Sequence, residues 1–85
     1  MGLAAVTGPV DLIVCNPPFH RGAAKDSTPT REMFAAAPAV LAADGEFWTV
    51  FNSHLPYLGW LRESVGPTRV VARDRHYTVA RSRPA

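Results

Sequence analysis

The stretch Val10-Asp11-Leu12-Ile13-Val14-Cys15-Asn16-Pro17-Pro18-Phe19 decides how the chain is read. Apart from Asp11, Val10 to Cys15 is an unbroken apolar run. A run this short, bounded by turn residues, predicts a strand covered on both faces. Asn16-Pro17-Pro18 ends it, because two prolines remove two backbone donors and fix two φ angles. Upstream, Met1 to Pro9 is rich in small residues and weakly patterned. Downstream, His20 to Pro29 is polar, carries Gly22, Lys25, Asp26 and Ser27, and reads as a loop.

Beyond the loop the pattern alternates. Thr28 is positioned to cap a helix, with Pro29 in its first turn and Glu32 near the positive end of the dipole. Met33, Phe34, Ala37, Val40 and Leu41 recur at helical spacing, although Pro38 should kink or break a helix there. Asp44-Gly45 reads as the stop and turn. Glu46 to Asn52 is rich in aromatic and β-branched residues and predicts a second strand. A second helix is expected from about Tyr57 to Val65, ending at Gly66-Pro67. Thr68 to Arg73 and His76 to Ala80 predict two short strands. Asp74-Arg75 would join them as a tight hairpin that lacks the favoured glycine. The order is β-α-β-α-β-β. Strand–helix–strand implies parallel neighbours joined by a right-handed crossover, and the closing hairpin adds an antiparallel member. That is half of an open α/β sheet.

Bulk properties bound the rest. The chain has 85 residues, one domain or a piece of one, with 47% hydrophobic residues, an ordinary globular share. A domain of this length buries only about 60–65% of its unfolded surface, so its core is marginal. The net charge of +2 permits an RNA partner without demanding one. Arg62, Arg69, Arg73, Arg75, Arg81 and Arg83 concentrate at the carboxyl end. They read first as a solvated surface with a frayed basic tail, and second as a phosphate-facing stretch. Cys15 is the single cysteine, which fits a reducing, cytoplasmic setting and offers neither a disulfide framework nor metal-ligand spacing. No apolar run approaches the roughly 20 residues of a membrane span, and the amino terminus lacks a signal-peptide n-region.

The segment Asp11 to His20 resembles the fourth motif of amino-group methyltransferases, a strand followed by Asn-Pro-Pro-aromatic. Four later segments resemble the same family at matching spacings. Glu32-Met33-Phe34 is similar to its helix, and Leu41 to Val50 to its next loop and strand. Asn52-Ser53-His54-Leu55-Pro56-Tyr57 is similar to its Asn-x-His-Leu-x-Tyr signature. Val70-Val71-Ala72 and Tyr77-Thr78-Val79 are similar to its terminal hairpin. The nearest group is the bacterial ribosomal RNA guanine-N2 methyltransferases, and the resemblance covers Val10 to Arg81. It implies a Rossmann-like seven-stranded methyltransferase sheet, of which this chain would be the carboxy-terminal half, closing on an antiparallel hairpin. Residues 1–85 would be a partial methyltransferase domain from the fourth strand onward, with the cofactor-binding amino-terminal half absent. It implies S-adenosylmethionine as methyl donor, ribosomal RNA guanine as substrate, and Asn16, Pro17, Pro18 and Phe19 as the catalytic residues. The family's Gly-rich turn and the acidic residue on its second strand have no counterpart in this sequence, so no cofactor-binding residue is assigned. A separate amino-terminal half or self-association would have to cover the exposed strand edge.

The chemistry suits these residue types. An exocyclic amino nitrogen is a poor nucleophile, because its lone pair is delocalised into the ring. Acceptors that bond its hydrogens direct the lone pair toward the methyl group. Asn16 offers a side-chain carbonyl, Pro17 a backbone carbonyl fixed by the Pro-Pro step, and Phe19 a face for stacking. Positioning carries the rate, with no tuned general base. Asn16-Pro17-Pro18 also reads as a plain strand breaker and Phe19 as a core anchor. Trp48 and Trp60 read as core, His54 as a packing or capping residue, and His76 and Tyr77 as hairpin. Three rival functions stay open. They are an adenine-N6 or protein glutamine methyltransferase, whose motifs place Tyr at the Phe19 position, a non-catalytic remnant or interaction module, and one half of a split enzyme.

Overall fold

The computed structural model describes residues 8–17 and 28–85. The polar loop expected between the first strand and the first helix, with Arg21 and Lys25, lies outside the described residues. Six elements occur in the expected order: β1 (Val10–Cys15), α1 (Thr28–Val40), β2 (Leu41–Asn52), α2 (Tyr57–Ser64), β3 (Thr68–Arg73) and β4 (Tyr77–Ser82). The strands form one sheet in the order β1-β2-β4-β3. β1 and β2 are parallel, with Ile13 beside Phe47 and Cys15 beside Thr49. β4 runs antiparallel to both β2 and β3, so the hairpin folds back and inserts its second strand against β2.

Both helices pack on one face of the sheet. Alternation along β2 turns Phe47, Thr49 and Phe51 inward, and β4 contributes Thr78, Ala80 and Ser82 on the same side. Phe34 of α1 is fully buried and meets Phe47 edge-on at 5.8 Å and Tyr57 of α2 edge-on at 5.7 Å. Tyr57 also lies 5.4 Å from Phe51. Edge-to-face pairs of this kind add about 0.5–1.5 kcal/mol beyond area burial. Leu61, Val65, Ala37 and Leu41 complete the core. Arg31 lies over the Trp60 ring, 3.9 Å from its centroid, and closes the outer edge of the α1–α2 contact.

Several local expectations need correction. Among the described residues β1 is covered on one face and not on both, because Leu12 and Val14 are exposed on the side away from the helices. Leu41 belongs to β2 and not to α1, since the helix passes straight into the strand at Val40. Pro38 lies in the last turn of α1, where it removes the N–H that would bond the Phe34 carbonyl and the helix ends two residues later. Glu32 falls beyond the first turn, which holds no acidic residue. Asp44-Gly45 is not a stop, because it lies inside β2. There the register jumps from Val10 beside Leu41 to Leu12 beside Glu46, so the extra residues form an irregularity in the ladder. His76 sits in the hairpin turn, and β4 starts at Tyr77 and runs on to Ser82.

The hairpin without a glycine has a specific solution. The Asp74 carboxylate accepts the N–H of His76 and of Tyr77, each at 2.8 Å, and Asp74 N–H donates to the Tyr77 carbonyl at 2.9 Å. An Asp that bonds the backbone two and three residues on replaces the conformational freedom of glycine with a local turn. These donations, from Tyr77 first and then His76, hold the Asp74 carboxyl below its ordinary range.

The carboxyl tail is packed, not frayed. Arg83 N–H donates to the Pro67 carbonyl at 3.0 Å and Ala85 N–H to the Val65 carbonyl at 3.3 Å. Arg81 and Arg83 approach Glu46 at 3.8 and 3.3 Å. The tail lies so close to Gly66, at φ +146°, that a Cβ there would fall 2.2 Å from the Arg83 carbonyl oxygen. Gly66→Ala should therefore destabilise the fold by about 1–3 kcal/mol. Thermal unfolding followed by circular dichroism checks this, and an unchanged midpoint would mean the tail is not held.

Candidate active site at the strand ends

In an open parallel sheet, ligands bind outside the carboxyl ends of the strands. β1 and β2 end side by side, and the residues after β1 open a cleft of about 320 Å³. Asn16, Pro17, Phe51, Asn52, Leu55, Tyr57 and Tyr77 line it. Each reaches this place for a local reason. The β1 ladder ends at Cys15, which leaves Asn16 exposed while Pro17 turns inward and is buried. Asn52 ends β2, and its carbonyl accepts the Leu55 N–H at 3.0 Å, turning the chain toward α2. Tyr77 starts β4 directly opposite Asn52 in the antiparallel ladder.

Of the four residues the sequence assigns to the site, Asn16 and Pro17 are in the cleft, and Pro18 and Phe19 lie outside the described residues. Sequence reading missed Tyr77 as a site residue. It took Tyr77 for hairpin alone, yet the residue is 58% exposed and lines the cleft. It also gave Asn52 no role beyond a signature position. The available signal was topological: a strand that returns beside β2 must place its first residue at the end of β2.

Among the described residues, no side chain that lines the cleft carries a formal charge. Cys15, the last residue of β1, turns away from the cleft into the core and donates its thiol hydrogen to the Met33 sulfur at 3.0 Å. Burial pushes this thiol up to about 11. The cluster of opposite charge is remote, on the open sheet face. There the Glu46 carboxylate accepts the Trp48 indole N–H at 2.9 Å and pairs with Arg81 and Arg83. The Trp48 hydrogen bond, followed by the two arginines, lowers the Glu46 pKa. Trp48 therefore stands on the face away from the helices, not in the core expected for it. Among the described residues, no group of His, Cys, Asp and Glu is arranged to hold a metal ion. Among them, too, no helix is long and apolar enough to cross a membrane.

A parallel strand pair followed by Asn-Pro and closed by an antiparallel hairpin is the arrangement that the resemblance to amino-group methyltransferases implies. The comparisons with known proteins agree. The model of the Methyltransferase small domain family matches residues 2–81, and the chain belongs to that family. The ribosomal RNA small subunit methyltransferase C of Hahella chejuensis is 38% identical over 78 residues, 92% of this chain and 23% of that protein. The ribosomal RNA large subunit methyltransferase G of Streptomyces coelicolor is 43% identical over 82 residues, 95% of this chain and 22% of that protein. A solved structure, the T. thermophilus 16S rRNA N2 G1207 methyltransferase in complex with AdoMet and guanosine, superposes with a TM-score of 0.82 at 30% identity. It matches 96% of this chain and 22% of that one. The chain thus spans less than a quarter of the length of each of these proteins.

The raised pKa of Cys15 gives a direct check on the seating of β1 against α1. At pH 8 only about one thiol in a thousand would be the reactive thiolate. Iodoacetamide should leave native Cys15 unlabelled and label it fully in denaturant. Rapid native labelling would mean that β1 is not seated against α1.

Proposed function

We propose that this chain supplies the acceptor side of a site that transfers a methyl group from S-adenosylmethionine to the exocyclic N2 amino group of a guanine in ribosomal RNA. The observation that carries this reading is Asn16, exposed at the end of β1 beside buried Pro17 at the mouth of the strand-end cleft. The Asn16 side-chain carbonyl accepts one N–H of the amino group and the Pro17 carbonyl the other. Together they turn the nitrogen lone pair out of the ring plane and toward the incoming methyl. S-adenosylmethionine, when bound, supplies a methyl whose bond to sulfur breaks as the bond to nitrogen forms, the electron pair staying on sulfur. The cleft fits that end of the donor, since the amide oxygens and aromatic rings among its described lining residues suit a sulfonium cation. The excess proton leaves the methylated amine for water, so no residue need act as a strong base. The guanine has to leave its stack to enter. The guanosine bound by the T. thermophilus protein supports this choice of base.

The open face of the sheet sets a second condition. Leu12 is 56% and Val14 71% exposed, both on β1, which is an outer strand of the described sheet. Exposed apolar edges associate. We infer that a complementary methyltransferase half, carrying the Gly-rich turn, covers this face in the active enzyme. The 85-residue polypeptide alone would then not turn over and would self-associate. Val14→Lys should suppress that association in sedimentation velocity. A monomeric wild-type chain at tens of micromolar would contradict it.

The functional test mixes the chain with a separately produced amino-terminal half of a relative, unmodified ribosomal RNA and S-adenosylmethionine. Nucleoside mass spectrometry should find N2-methylguanosine only in the complete mixture. Asn16→Ala should lower the rate by roughly 10²- to 10³-fold, the usual loss for one preorganised hydrogen-bond partner. Methyl on adenine N6, or an Asn16→Ala rate equal to wild type, would overturn the proposal.

A further inference from the structure

We propose that Asn52 and Tyr77 form the wall of the cleft that reads the target base, Tyr77 as its stacking platform and Asn52 as the amide that recognises the guanine edge. This rests on the reading that Asn16 and Pro17 hold the base's amino group.

Asn52 and Tyr77 are direct cross-strand partners, the last residue of β2 and the first of β4. Directly opposed residues in an antiparallel pair project to the same face, with Cβ atoms about 4.5–5.5 Å apart. Both line the cleft that Asn16 and Pro17 open. Tyr77 is 58% exposed and outside the core, whereas Tyr57 in the same cleft is 3% exposed and committed to Phe34, Phe51 and Trp60. The only aromatic ring free to receive a base among the described lining residues is therefore Tyr77. The Asn52 side chain is half-buried, so its amide is partly withdrawn from water yet available to a ligand.

The wall is held rigid from behind. Asp74 fixes the Tyr77 backbone through both its carboxylate and its N–H. Ser53, the residue after Asn52, ties the two strand ends together. Its N–H donates to the His76 carbonyl at 2.9 Å, and its hydroxyl lies 2.8 Å from both the Asp74 carbonyl and the Thr78 hydroxyl. These bonds tie the hairpin end to the end of β2. A platform locked in place before binding loses little entropy when a base arrives.

The chemistry selects guanine over adenine once the amino group is pinned at Asn16. Next to its N2 amino group, guanine presents N1–H, a donor. Next to its N6 amino group, adenine presents N1, an acceptor. Turned with its carbonyl toward the base, as this proposal assigns it, the Asn52 amide accepts the first and repels the second; turned over, its NH2 would serve adenine N1 instead. An acceptor-only replacement at Asn52 therefore keeps guanine recognition, and an apolar one removes it.

The test measures binding of the whole chain to a labelled single-stranded oligouridylate with one central guanine, and to the same strand with adenine there. Wild type should prefer the guanine strand. Tyr77→Ala and Tyr77→Leu should weaken both strands by roughly 5- to 150-fold, the stacking contribution of one base, and Tyr77→Phe should bind like wild type. Asn52→Asp should keep the guanine preference, and Asn52→Leu should abolish it. Thermal melts matching wild type for Tyr77→Leu and Asn52→Leu exclude a merely structural effect. Wild-type affinity in Tyr77→Leu, or a guanine preference that survives Asn52→Leu, overturns the inference. If Asn16→Ala alone weakens guanine binding, the methyl-transfer reading stands and this wall falls. If no variant changes binding, or wild type binds neither strand, both fall.

Discussion

The packing of the Phe34 ring edge-on against both Phe47 and Tyr57 is the contact on which the rest of the structure depends. It joins α1 to β2 and α2 to both, so one side chain sets the distance between the helical layer and the sheet. Removing a buried Phe ordinarily costs about 3–5 kcal/mol. A single core in a domain of this size rarely supplies more than about that. A second contact from the same helix seats β1, where Met33 receives the Cys15 thiol. With β1 seated, Asn16 and Asn52 come to the same end of the sheet, and the cleft forms between them.

The helical face and the open face of the sheet have opposite characters, and function divides along them. The helical face is dry and aromatic and carries the stability. The open face carries Leu12 and Val14 beside a charged cluster of Glu46, Arg81 and Arg83. Surface ion pairs contribute little on their own, and these order the carboxyl tail more than they stabilise the sheet. The arginine-rich end, which composition alone makes a candidate for phosphate contact, is in part committed to Glu46. Net charge is therefore a poor guide to where a nucleic acid would meet this chain, and the proposed site at the strand ends, whose described lining side chains are uncharged, does not depend on it.

Much of this was legible in the sequence wherever a pattern has one physical meaning. Val10 to Cys15, apolar and closed by a proline pair, is a strand, and Gly66-Pro67 ends α2 as its composition requires. Asn16 and Pro17 reach the cleft because a strand that stops at two prolines must leave its next polar residue at the sheet edge. Where the sequence misled, two structures share one local signal. Asp44-Gly45 has the composition of a turn but sits in an irregular stretch of β2, and only the pairing with β1 distinguishes the two. The hairpin lacked a glycine because Asp74 does its work by side-chain hydrogen bonds, which composition does not announce. Tyr77 was hidden for a different reason. Its role depends on β4 lying next to β2, and strand order is not a local property of the sequence.

The central claim is that the ends of β1, β2 and β4 receive a guanine. The most direct measurement is a guanosine titration of the isotope-labelled chain followed by nuclear magnetic resonance. The account predicts saturable shifts at the Asn16 and Asn52 side-chain amides and at Tyr77, with Thr68 to Arg73 unmoved. Shifts confined to the arginines of the hairpin and tail, with the strand ends silent, would contradict it.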